Sequence, residues 1–162
     1  MIVSGALFSE DRAFRYWLFR AWNPSLPFFA VIGTNPSVAA ELQNDPTIRK
    51  VIGFGERLGY GGVLMLNVGA FVATDPKDWR NSRDPFGPEN TIEHLSRYLV
   101  EHRIVRVIAA WGVPCTLSTR GRLRAALIGR AIPSMKCWGR NANGSPRHPL
   151  MLPYSTELEP FN

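Results

Sequence analysis

Apolar runs separated by polar stretches rich in glycine and proline divide this chain into alternating strand and helix candidates. Phe14-Arg15-Tyr16-Trp17-Leu18-Phe19-Arg20 alternates loosely and is rich in aromatics, which predicts a strand ending near Asn23-Pro24. Phe28 to Gly33, Val63 to Leu66 and Ile104 to Ala110 are short continuous apolar runs, the signature of strands covered on both faces. A helix is predicted from Asp45: its carboxylate can cap, Pro46 suits the first helical position, and Ile48, Val51, Ile52 and Leu58 give an apolar face that ends at Gly59-Tyr60-Gly61-Gly62. Glu89 to His102 reads as a second amphipathic helix through Ile92, Leu95, Tyr98 and Leu99. Leu117 to Gly129 reads as a third helix, Met135 to Trp138 as a short fourth strand, and Gly69 to Pro88 as a polar loop.

Strands alternating with helices imply a mostly parallel sheet with helices on both faces. The expected fold is α/β: a three-layer sandwich around a central four-stranded sheet, with an N-terminal strand or hairpin added. Residues 1–162 suit one domain. In such sheets ligands bind at the carboxyl ends of the strands. Asn35 and Asn67 each fall just past the end of a predicted buried strand, and Trp111-Gly112 follows the third, Ile104 to Ala110. The pattern therefore brings these three sites to one edge of the sheet.

Composition narrows the function classes. Hydrophobic residues make up 45% and charged residues 20%, the balance of a globular domain, and no run is long enough to span a membrane. The start of the chain lacks the basic-then-apolar pattern of a secretory signal, so a soluble cytoplasmic protein is expected. Two cysteines, Cys115 and Cys137, cannot form a four-cysteine metal site and read as small core residues in a reducing compartment. Three scattered histidines give no metal-site spacing, and no phosphate-binding glycine loop is present, so neither metal nor cofactor is expected. The net charge of +6, with 19 Lys+Arg against 13 Asp+Glu, favours a polyanionic partner such as nucleic acid.

Four segments then occur in a telling order: Gly33-Thr34-Asn35-Pro36-Ser37, Gly62-Val63-Leu64-Met65-Leu66-Asn67-Val68, Ala109-Ala110-Trp111-Gly112 and His148-Pro149-Leu150. Together they resemble the motifs of the uracil-DNA glycosylase superfamily, over roughly residues 28–152. The chain also resembles a group of short prokaryotic and phage proteins marked by N-P-S, D-P-T and H-P-L.

The resemblance implies roles for individual residues. His148 would donate a hydrogen bond to the departing base, and Asn35 would hold the attacking water. Asparagine stands at position 35 where the fastest relatives carry aspartate, and an amide cannot act as a base. Asp45 is the candidate to supply that function; its other reading is a plain helix cap. Asn67 would read the edge of an extruded base with one donor and one acceptor, with Gly33 beside it. Its other reading is a strand-end asparagine bonded to its own backbone. Ser37 stands where the uracil-specific branch carries a tyrosine that blocks substituents at carbon 5, so its small side chain implies an open 5-position. Phe54, Tyr60 and Trp111 are candidates for stacking on the base, and each also suits a core; Phe54 is taken as the base-binding one. Arg49, Lys50, Arg140, Asn143 and Arg147 are expected to contact the DNA backbone, and Leu150 to fill the gap left by the flipped base. Leu150 reads equally as a core residue.

The implied activity is that of a monofunctional DNA glycosylase acting as a monomer on double- or single-stranded DNA. It would hydrolyse the N-glycosidic bond of a 5-substituted pyrimidine and leave an abasic site. Defence against phage DNA carrying hypermodified cytosine, such as glucosylated hydroxymethylcytosine, is the setting that fits. Repair of deaminated bases, a non-catalytic nucleic-acid-binding module of the same fold, and a hydrolase of free modified nucleosides are the alternatives.

Overall fold

Side chains of the central strands alternate between two apolar layers, and this alternation organises the molecule. The computed structural model describes residues 3–37 and 43–161. The strands are β1 (Val3–Phe8), β2 (Arg15–Ala21), β3 (Phe28–Gly33), β4 (Gly62–Asn67), β5 (Ile104–Ala109), β6 (Lys136–Cys137) and β7 (Glu159–Pro160). They form one sheet in the order β1-β2-β4-β3-β5-β6-β7. The four central strands, β4, β3, β5 and β6, run parallel, while β1 and β2 on one side and β7 on the other are antiparallel additions. The sheet thus has seven strands among the described residues: four parallel ones in the centre, the N-terminal hairpin, and β7, which was not expected. The N-terminal hairpin β1–β2 joins it directly, because Leu18 to Ala21 pair with Met65 to Gly62.

Helix α1 (Pro46–Arg57) covers one face, where Ile48, Val51 and Phe54 pack on Phe29, Val31, Val63, Met65 and Ile108. The other face packs against α2 (Pro76–Asn81), α3 (Ile92–Glu101), α4 (Gly112–Thr116) and α5 (Thr119–Ala131) through Trp79, Leu95, Tyr98, Cys115, Ala125 and Ile128. Three layers result. Both cysteines are buried and free, and desolvation pushes the Cys115 thiol up to about 12.

Local signals explain the helix boundaries. Thr91 caps α3 by accepting from the His94 N–H, so that helix starts after the predicted Glu89, and Ser118 caps α5 through the Gly121 N–H. Helix α2 lies inside the stretch expected to be loop. Its start, Asp75-Pro76, repeats the cap-and-proline arrangement of Asp45-Pro46, and Trp79 anchors it in the core with its indole N–H donating to the Pro85 carbonyl (2.8 Å). No helix of the described residues is long and apolar enough to cross a membrane.

Candidate functional site

At the carboxyl ends of β3, β4 and β5 lies a cavity of ≈ 310 Å³. Its floor is apolar, from Val31, Ile48, Met65 and Ala110; its walls carry Arg15, Asn35, Ser37, Asp45, Thr47, Asn67, Thr74 and His148. The parallel register pairs Gly33 with Asn67 at the strand ends, and Asn35 follows two residues beyond Gly33.

Asn67 is 5% exposed, and its side-chain amide makes no hydrogen bond to any described residue. Its amide lines the cavity, where solvent or a ligand can satisfy it. Gly33 shapes its position: a Cβ at residue 33 would lie 2.8 Å from Asn67 Oδ1. Gly33→Ala should therefore fold, because the amide can swing aside, and should move that amide from its place in the cavity. Thermal unfolding and the Asn67 side-chain amide resonance on the same preparation check both halves.

Asn35 is oriented by its backbone surroundings. Its Nδ2 donates to the carbonyls of Ala73 (2.8 Å) and Pro36 (3.1 Å). Both amide hydrogens are thereby occupied, so the group offers the cavity only its Oδ1, an acceptor. Asp45 is the cap of α1, and its second carboxylate oxygen reaches the cavity lining. Oδ1 caps α1 by accepting from the Ile48 N–H (2.8 Å), while Oδ2 accepts from the Ser37 hydroxyl (2.8 Å) on the cavity wall.

His148 is exposed at the rim of the cavity, yet enough protein surrounds its ring that desolvation pushes its pKa below the ordinary histidine value, against the attraction of Asp45. Its Nδ1 accepts from the Leu150 N–H (3.4 Å) as the chain enters a single 3₁₀ turn, Pro149–Met151. A neutral ring held this way carries its proton on Nε2, where it can be donated. Gly112 brings this segment in: its φ of 65° turns the chain out of β5, and its N–H donates to the Pro146 carbonyl (3.0 Å).

Of the predicted site residues, Gly33, Asn35, Ser37, Asp45, Asn67 and His148 meet in this cavity. Phe54 does not. It is 1% exposed in the layer between α1 and the sheet, against Trp138 (4.6 Å between ring centroids) and Tyr154 (5.0 Å), because it continues the Ile48-Val51 face of the helix. Tyr60 stacks on Phe29 (4.7 Å), which leaves Trp111 as the aromatic among the described lining residues.

The expected backbone-binding residues divide. Arg49 and Arg147 are exposed, with the Arg49 guanidinium also donating to the Asn44 carbonyl. Lys50 sits 3.9 Å over the Tyr154 ring, and Arg140 pairs with Glu159 (3.7 Å) over Phe161. Asn143 is a loop builder: its Oδ1 accepts from the Ser145 N–H and hydroxyl, and its Nδ2 donates to Thr116 Oγ1. Leu150 is 37% exposed, against 89% for Met151. Among the described residues no group of three or more His, Cys, Asp or Glu side chains is placed to hold a metal ion.

Sequence reasoning missed Arg15. It is 4% exposed and lines the cavity, with Nη1 donating to the Ser37 carbonyl at 3.5 Å. Desolvation pushes its pKa down to about 10, opposed by Asp45 and reinforced by Arg20, so it remains a cation at neutral pH. The available signal was an arginine at the head of an aromatic strand.

A family model described as "Protein of unknown function (DUF1643)" matches residues 15–150. The chain belongs to this family. The matched segment of this family member holds every described residue that lines the cavity, from Arg15 to Pro149. No curated protein matches significantly. An α/β hydrolase from Novosphingobium aromaticivorans DSM 12444 shows 22% identity over 82% of this chain, with a TM-score of 0.34. The chain spans 40% of that protein's length, and a likeness of this degree carries no functional argument.

Proposed function

We propose that this protein is a DNA glycosylase that hydrolyses the N-glycosidic bond of a 5-substituted pyrimidine and leaves an abasic site. The observation that carries the reading is Asn67: a nearly buried amide, unpartnered by described residues, facing a cavity of a size to hold one base. The parallel β4-β3-β5-β6 core with its ligand cavity at the strand ends supports the likeness to the uracil-DNA glycosylase fold.

The groups suit the reaction. A water held by Asn35 Oδ1 attacks the sugar carbon C1′ as the bond from C1′ to the base nitrogen breaks. The electron pair of that bond leaves with the base. The Nε2–H of His148 donates to the base oxygen on which negative charge gathers, which stabilises charge present only in the transition state. The proton of the attacking water passes to the Asp45 carboxylate, since the Asn35 amide cannot take it. Ser37 leaves room beside the 5-position, and its hydroxyl is turned toward Asp45. Destruction of hypermodified phage DNA, including glucosylated hydroxymethylcytosine, is the setting we favour.

The test is an abasic-site assay on DNA containing uracil, 5-methylcytosine or 5-hydroxymethylcytosine, and on glucosylated phage DNA, followed by alkali. Breaks are expected in a 5-substituted substrate and should vanish in the His148→Ala protein. Cleavage of uracil DNA with every 5-substituted base refused would move the reading to repair of deaminated bases. No breaks in any substrate, with tight salt-sensitive binding retained, would favour the non-catalytic binding module.

A further inference from the structure

Ser37 is bracketed by opposite charges. Its carbonyl receives the Arg15 guanidinium and its hydroxyl donates to Asp45, and all three residues line the cavity. Arg15 belongs to β2 and Asp45 to the cap of α1, so two separate elements converge on the position that the glycosylase reading assigns to the carbon-5 edge of the base. Thr47, the second residue of α1, adds a hydroxyl-bearing side chain to the same wall.

This wall differs in kind from the apolar floor. A methyl group pressed against it would displace water from a cation and a carboxylate and return no hydrogen bond, which is unfavourable for both. A substituent bearing a hydroxyl can accept from the guanidinium and donate to the carboxylate at once. An anionic substituent gains from Arg15 but is opposed by Asp45. The wall therefore matches a neutral, oxygen-bearing group.

We infer that Arg15 is a specificity-determining residue that, with Asp45, selects pyrimidines whose 5-substituent carries a hydroxyl over those whose substituent is aliphatic or anionic. The inference rests on the glycosylase reading and names the substrate class within it. Arginine suits the role because its planar fork is held in one orientation by burial, where a lysine would present a single point of charge.

The experiment measures single-turnover base release from one DNA sequence carrying, at one position, 5-hydroxymethylcytosine, 5-methylcytosine or 5-carboxylcytosine. The proteins are wild type, Arg15→Lys and Arg15→Met. Wild type should release the hydroxymethyl base at least about tenfold faster than either other base, in line with the discrimination of a site built to bond a hydroxyl. That ratio should fall toward one in Arg15→Met and take an intermediate value in Arg15→Lys, which keeps the buried charge and so preserves folding. The ratio is the readout because a general packing defect lowers all three rates alike. Inhibition of the wild-type enzyme by free 5-hydroxymethyl- and 5-methyl-deoxycytidine gives the same comparison without any variant. Equal inhibition by the two, a ratio unchanged in both variants, or preference for the carboxyl base would overturn the inference and leave the glycosylase reading intact. No base released from these DNAs or from glucosylated phage DNA would overturn both.

Discussion

Replacing His148 with alanine is expected to lower kcat by about 10²- to 10³-fold while leaving KM nearly unchanged, the signature of a donor that acts on developing charge. Two observations set the sign of the accompanying pH profile. Nδ1 accepts from the Leu150 N–H, and burial holds the imidazole pKa below its ordinary value against the pull of Asp45. The working form is then the neutral ring with its proton on Nε2. Protonation would place a hydrogen on Nδ1 and set it against the Leu150 N–H, disturbing the ring's orientation. Activity should stay level through neutral pH and decline only once acid reaches below the usual histidine range. Asp45 and Arg15 share the cavity, so the Arg15→Lys profile serves as a control for the local field. A rate that climbs on acidification would assign the work to the imidazolium and refute the neutral-donor account.

Phe54→Ala is expected to affect stability and leave chemistry alone. The ring is enclosed by Trp138, Tyr154 and the apolar layer over β3 and β4. Removing a buried phenylalanine costs about 3–5 kcal/mol through lost transfer energy and the cavity left behind. For a chain of this size that is a fall in Tm of roughly 10 °C. Activity per folded molecule, measured well below the new midpoint, should stay within about threefold of wild type, the scale of a mutation that leaves the reacting geometry in place. A base-stacking role would produce the opposite pair of results: an unchanged Tm with a collapse in kcat/KM.

The Phe54 result also shows where the sequence was legible. The apolar face was read from Ile48, Val51, Ile52 and Leu58; in the structure Phe54 continues the three-residue spacing of Ile48 and Val51 into the core, while Leu58 is exposed. Strands β3, β4 and β5 were readable because continuous apolar runs of that length have few other uses, and the polar residues after them therefore fell at one end of the sheet. Helix α2 was obscured by Pro76, Pro85 and Pro88, although Asp75-Pro76 carried the same start signal that identified α1. The two-residue strands β6 and β7 are too short to show a period of their own. Arg15 escaped because alternation assigns a strand's arginines to a wet face. The loops after β3 and β4 close on this one, whose guanidinium donates to the Ser37 carbonyl and whose backbone N–H donates to that of Ala70, and no local pattern records such a tertiary closure.

Those two loops are laced together beyond the ends of their strands. The N–H groups of Val68, Gly69 and Ala73 donate to the carbonyls of Gly33, Thr34 and Pro36, and Asn35 Nδ2 reaches the Ala73 carbonyl. Asn35 is consequently ordered when the chain folds and loses little further freedom when a ligand arrives. Association at this wall should then show a small loss of protein conformational entropy, with a negative heat-capacity change set by the dehydration of Val31, Ile48 and Met65.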